Sequence, residues 1–138
     1  MIDKIIFETD YFGQVTGKKN NKVISINRHT GKPFVRMNDN AKNQERVMVE
    51  NFAYDMNFNH LRPEDFENRR IEVIVEIWNK DNRKHDLDNQ LSTILDALVK
   101  AGVLPDDSQN TVMKVTATYM GIDKEDARAQ ITVIATRK

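Results

Sequence analysis

An α+β fold is predicted for this chain: one domain spanning residues 1–138, a mixed β-sheet with two main helices packed on it, in the order βββ-α-β-α-ββ. Three observations support it. Ile71, Val73, Val75 and Ile77 alternate as the buried face of a strand does. Leu87, Leu91, Ile94, Leu95 and Leu98 fall at offsets 0, 4, 7, 8 and 11, the spacing of an amphipathic helix. The chain has 138 residues, 39% of them hydrophobic and 30% charged, with no cysteine. A chain of that size buries roughly 68% of the surface its unfolded form exposes, enough for a core without metal or disulfide support.

The elements follow in order. Ile2 to Glu8 alternates loosely and forms a first strand, followed by a polar loop from Tyr11 to Asn21 that contains Gly13 and Gly17. Val23 to Asn27 and Pro33 to Met37 are short strands joined by His29-Thr30-Gly31-Lys32, a hairpin with Gly at its turn. A helix capped by Asn38 or Asn40 then runs to about Phe58, its stripe supplied by Val47, Val49, Phe52, Ala53 and Met56. Arg62-Pro63 breaks the chain before the strand Arg70 to Trp78, whose second face is partly apolar through Ile74 and Trp78, as in a central strand. The helix Leu87 to Ala101 has Asp86 at its N-cap and Gly102 just past its end. Strands near Thr111 to Met120 and Ala129 to Thr136 complete the chain.

Composition excludes several classes. Without cysteine there is no thiolate catalysis, Cys-ligated zinc or iron–sulfur cluster, and the chain suits a reducing cytoplasm. Its apolar runs reach only about four residues against the ~20 of a membrane span. Charges at Asp3, Lys4 and Glu8 interrupt any signal-peptide core, so a cytoplasmic location is expected.

Net charge is zero, but unevenly distributed. Between Gly13 and Arg46 stand eight basic residues, Lys18, Lys19, Lys22, Arg28, Lys32, Arg36, Lys42 and Arg46, against Asp39 and Glu45, a local excess of six positive charges. Several of the compensating acids cluster between Asp81 and Asp107. Such a division suits a polyanion held beside a cation site, or simply two solvated faces.

The segment with most chemistry is Lys84-His85-Asp86-Leu87-Asp88-Asn89, followed by Asp106-Asp107-Ser108-Gln109 after the helix. Free backbone N–H groups at the helix start favour ionised Asp86 and Asp88. Each acid also has a purely structural role open to it: Asp86 as an N-cap, Asp106 and Asp107 as turn residues after Pro105. Were three or four of these carboxylates to converge without His or Cys, the ion they suit is Mg²⁺ or Mn²⁺, and the natural reaction is phosphodiester hydrolysis. Gly102 lies roughly 22 Å along the helix axis from Asp86, so convergence requires a neighbouring strand to close the distance.

His-Asp-Leu-Asp-Asn at 85–89, Leu-Asp-Ala-Leu at 95–98, Gly102-Val103-Leu104 and Asp-Asp-Ser-Gln at 106–109 together resemble the signature of the RusA endonucleases, phage-type Holliday junction resolvases. The resemblance extends more weakly to the Lys18-Lys19-Asn20 loop and to the flanking strands. It implies a single RusA-like domain over residues 1–138 in a small homodimer, expected in a bacterial host as a cytoplasmic protein encoded by a phage or prophage. Such an enzyme binds four-way DNA junctions and cuts them symmetrically with Mg²⁺, or with Mn²⁺, during recombination and repair.

By that resemblance the catalytic, metal-binding aspartates correspond to Asp86, Asp88 and Asp107, with Asn89 and Asp106 at polar positions around them. Lys18, Lys19, Lys22, Arg28, Lys32, Lys84 and Asn89 are the expected DNA contacts, binding phosphate rather than reading bases. A twofold dimer would match the symmetry of a four-way junction. Tyr11, Phe12 and Phe34 would serve as core, as dimer contacts or as wedges in the junction. The chain departs from the family where a lysine commonly stands one helical turn after the second Asp; here it is Ser92. That departure leaves an alternative, a catalytically weak or silent branched-DNA-binding module. A third reading is an interaction protein whose acids only cap and turn.

Overall fold

The computed structural model describes residues 3–17, 22–37, 39–106 and 110–138, and the side chains of all of these except 22–24, 34–37 and 39. Six strands and two helices occur in the predicted order: β1 (Lys4–Phe12), β2 (Lys22–Ile26), β3 (Pro33–Met37), α1 (Asp39–Phe58), β4 (Arg69–Asn79), α2 (Leu87–Lys100), β5 (Val112–Ile122) and β6 (Arg128–Arg137). A 3₁₀ turn at Pro63–Phe66 follows the Arg62-Pro63 break and seats Phe66 in the core.

Four strands make one mixed sheet in the order β1-β6-β4-β5. β6 runs antiparallel to both β1 and β4, whereas β5 runs parallel to β4. A parallel neighbour needs a crossover, and α2 supplies it. β4 is therefore central, as the apolar character of both its faces suggests. β2 and β3 pair only with each other, so the basic hairpin stands apart from the main sheet. At its turn Asn27 Oδ1 accepts from His29 N at 2.8 Å, and Gly31 takes φ +70°, a value open to glycine at no steric cost.

The core lies under one face of the sheet. Odd-numbered residues Phe7 of β1, Val73, Val75 and Ile77 of β4, and Ile131 and Val133 of β6 meet Met48, Phe52 and Met56 of α1 and Ile94, Ala97 and Leu98 of α2.

Three expectations change. β1 continues through Tyr11 and Phe12, which sequence patterning assigns to the loop, because they find backbone partners in Ala129 and Arg128. α1 begins at Asp39, so Asn40 falls inside the first turn rather than at a cap; Asn38 lies outside the described residues. The inward face of α2 is rotated from the leucine stripe: Asn89, Gln90 and Thr93 are buried beside Ile94, Ala97 and Leu98, while Leu87, Leu91 and Leu95 are only half-buried.

Candidate active site and nucleic-acid interface

Two aspartates stand exposed where α2 begins. Asp86 is the N-cap, in extended conformation (φ −87°, ψ 113°), and its Oδ1 accepts from Asp88 N at 3.1 Å. The Asp86 carbonyl then accepts the first helical bond from Gln90 N at 3.0 Å. Capping occupies one carboxylate oxygen and leaves the other, with both oxygens of Asp88, facing solvent at the positive end of the helix dipole.

The next two residues turn inward. Gln90 Nε2 donates to the Val15 carbonyl at 2.8 Å and to Asn79 Oδ1 at 3.0 Å. Gln14 Nε2 reaches the same two acceptors, at 2.9 and 2.8 Å, and its Oε1 accepts from Lys80 N at 2.7 Å. On the far side of the same loop, Gln44 of α1 holds Thr16 both ways: Oε1 accepts from Thr16 N at 2.8 Å and Nε2 donates to its carbonyl at 3.1 Å. Residues 14–17 are thus wedged between α1, the first turn of α2 and the end of β4.

Asn89 completes the wedge by contact. A Cβ placed on Gly17 would lie 2.0 Å from Asn89 Nδ2 and 2.2 Å from Cγ, so only glycine lets the backbone come this close. In sequence the basic run follows Gly17. Lys18 and Lys19 lie outside the described residues, as does the side chain of Lys22, while Arg28 and Lys32 are exposed on the hairpin. Lys84 is exposed too, beside a groove of about 340 Å³ lined by Arg83, His85, Leu87, Tyr119 and Ile122.

Asp107 is outside the described residues, but Asp106 follows the C-terminal end of α2, a 14-residue helix about 20 Å long. Pro105 and Thr111 line a cleft with Glu67, Asn68 and Arg69, at the start of β4. Asp86 and Asp88 lie past its other end, since the groove beside Lys84 also contains Asn79. The strand register agrees: Val112 stands next to Ile71 and Ile122 next to Asn79. Within one protomer, then, the length of α2 separates Asp106 from the carboxylates at its start, while the expected ligand Asp107 lies outside the described residues. Among the described residues no group of three or more His, Asp or Glu is placed to hold a metal ion.

Sequence reasoning missed the amides Gln14, Gln44, Asn79 and Gln90. The available signal was Gln90 itself, a polar residue three positions after Leu87 on a face that helical spacing turns inward. Among the described residues, no helix is long and apolar enough to cross a membrane.

The family model Endodeoxyribonuclease RusA matches residues 13–134, nearly the whole chain and both ends of the site just described. No match is found among curated proteins. The chain belongs to the RusA endodeoxyribonuclease family.

Proposed function

We propose that this member of the RusA family is a divalent-metal-dependent endonuclease that resolves four-way DNA junctions by phosphodiester hydrolysis. A cytoplasmic role in recombination and repair in a bacterial host, for a chain carried by a phage or prophage, belongs to the same reading. The observation that carries it is the pair of exposed carboxylates, Asp86 and Asp88, at the start of α2, next to Asn89 and the residues 14–17 it packs against. Lys84 is exposed on the segment that leads into the two carboxylates.

The carboxylates suit a hard cation in ligand type: oxygen donors only, exposed, at a helix start. Asp86 and Asp88 would hold Mg²⁺ or Mn²⁺, with Asp107 as the third ligand. When bound, such an ion polarises a phosphoryl oxygen and promotes attack by water. This chain's own residues do the rest. Lys18, Lys19, Lys22, Arg28, Lys32 and Lys84 neutralise phosphates and set the strand against the α2 N-terminus. Asn89 packs against Gly17, which precedes Lys18 in sequence. The same reading takes the chain to act as a homodimer, whose twofold symmetry would match that of a four-way junction.

A synthetic four-way junction incubated with Mg²⁺ tests the reading. Wild type should release paired nicked duplexes, and Asp88→Asn should bind the junction but lose at least ~10²-fold in rate, the scale on which a site's charge stabilisation acts. Equal cutting by the two proteins would remove these carboxylates from the chemistry.

A second reading has a specific observation in its favour. Ser92 is exposed one helical turn beyond Asp88, where the family commonly carries a lysine. The chain would then be a junction-binding module with little or no cleavage. Normal gel-shift affinity without nicking, and cleavage gained by Ser92→Lys, would establish it.

A further inference from the structure

The groove beside Lys84 lies against the segment that bears the two carboxylates. His85 and Leu87, the residues on either side of Asp86, both line it, as does Tyr119 of β5. Tyr119 stands in register with Ile77, so it is on the face of the sheet that the helices cover, yet it is 48% exposed while Ile77 is fully buried. At about 340 Å³ the groove is at the small end of the ~300–1,000 Å³ range of small-ligand sites.

The lining is that of a site for something flat and apolar with a polar edge. Leu87, Ile122 and the Tyr119 ring offer nothing to a phosphate, whereas Arg83 and Lys84, both exposed, offer two cations beside them. Asn79 and Gln90 are buried at its floor, bonded to each other at 3.0 Å and to residues 14 and 15, so the floor is rigid. His85 is the polar remainder: its Nε2 is buried and meets no hydrogen-bond partner among the described residues. A buried polar atom left unpaired is costly, and the edge of a nucleobase carries donors and acceptors able to pair it.

We propose that this groove receives one nucleobase, unstacked from the DNA strand whose phosphate lies at Asp86 and Asp88 and laid against the Tyr119 ring. The inference rests on the junction-binding reading above and adds to it a residue that selects the substrate. His85 and Leu87 are each one residue from Asp86, within ~4 Å along the chain. A DNA strand rises ~3.4 Å per nucleotide, so the base belongs to a nucleotide next to that phosphate. Taking a base out of continuous duplex costs stacking and pairing, and the cost is least where pairing is already interrupted. A groove for one base therefore favours a branch point over intact duplex, whatever the base, since every base has a face that stacks.

Affinity for a synthetic four-way junction, measured by gel shift without Mg²⁺, tests the groove independently of cutting. Tyr119→Ala should weaken binding by roughly 5- to 150-fold, the worth of one stacked base, and Tyr119→Leu, apolar but without a flat ring, should do the same. Tyr119→Phe should match wild type, as should Phe58→Ala, which removes an aromatic side chain 70% exposed on α1. The second arm is a junction with abasic sugars at the branch-point nucleotides. There Tyr119→Ala should differ from wild type by less than about twofold, because no base remains to stack. Full affinity of Tyr119→Ala or Tyr119→Leu for the intact junction, or an equal loss on both junctions, would overturn the proposal. If those variants bind fully and wild type cuts, the groove falls and the nuclease reading stands. A Tyr119 effect that needs the base, in a chain that never cuts, does the reverse, and a wild type that binds no junction refutes both.

Discussion

Gln14 and Gln90 donate to the same two acceptors, and that redundancy makes a quantitative prediction. Gln90→Leu keeps the volume of a buried side chain and removes the bonds to Val15 O and Asn79 Oδ1, but Gln14 Nε2 still serves both. The loss is then that of two net hydrogen bonds partly offset by apolar burial, about 1–2 kcal/mol. Gln14→Ala should cost about 1 kcal/mol, since Gln90 covers the acceptors and the exposed Lys80 N–H can turn to water. With both changes, neither described donor remains for the two oxygens, and each bears its own desolvation cost of ~1–3 kcal/mol. The double variant should therefore fall below the sum of the singles by about 1–2 kcal/mol. Urea unfolding at equal m-values measures this directly. Additivity within ~0.5 kcal/mol would refute the argument that these amides act as one anchor for residues 14–17.

Four further outcomes are expected. Gly17→Ala forces Asn89 away from the loop and should destabilise by ~1–3 kcal/mol in urea while weakening junction affinity, whereas a neutral effect would mean that the close approach is dispensable. Lys18→Ala with Lys19→Ala should lower the slope of log K against log salt by about 1.8, two phosphate contacts' worth, leaving stability unchanged; an unaltered slope would remove both lysines from the DNA interface. Asp86→Ala should lose the cap and cost about 1 kcal/mol, while Asp86→Asn keeps an acceptor for Asp88 N and stays near wild type, yet both should lose cleavage. Burial, then the neighbouring Asp55 charge, lifts the Asp10 carboxyl above its ordinary 3.8, with Glu8 adding to the rise and Arg128 opposing it. The folded state therefore binds this proton more tightly than the unfolded one, and stability falls as pH rises from 3.8 through the raised value. Asp10→Asn should raise the urea midpoint at neutral pH, and the gain should vanish below 3.8.

Element order was legible because period-2 and period-3.6 patterns are written by burial, and Gly31 and Pro63 punctuate them. What escaped was set by contacts distant in sequence. Tyr11 and Phe12 belong to β1 because β6 is there to receive them. The inward rotation of α2 escaped for a related reason. The leucines define an apolar stripe, but buried Asn89 and Gln90 bond and pack against residues 14–17, more than seventy positions earlier in the chain. Polar groups that are fully partnered can occupy core positions, and apolar spacing alone cannot see the partner. The displaced row, Leu87, Leu91 and Leu95, is left half-buried.

The place of Asp106 follows from topology rather than from helix length. In a parallel crossover the helix starts beyond the C-terminal end of one strand and its following loop returns to the N-terminal end of the next. Asp86 and Asp88 precede or open α2, Asp106 follows it, and β4 and β5 on either side are parallel. No adjustment of the Gly102–Pro105 loop can cancel this, because the loop has to deliver the chain to Val112 beside Ile71.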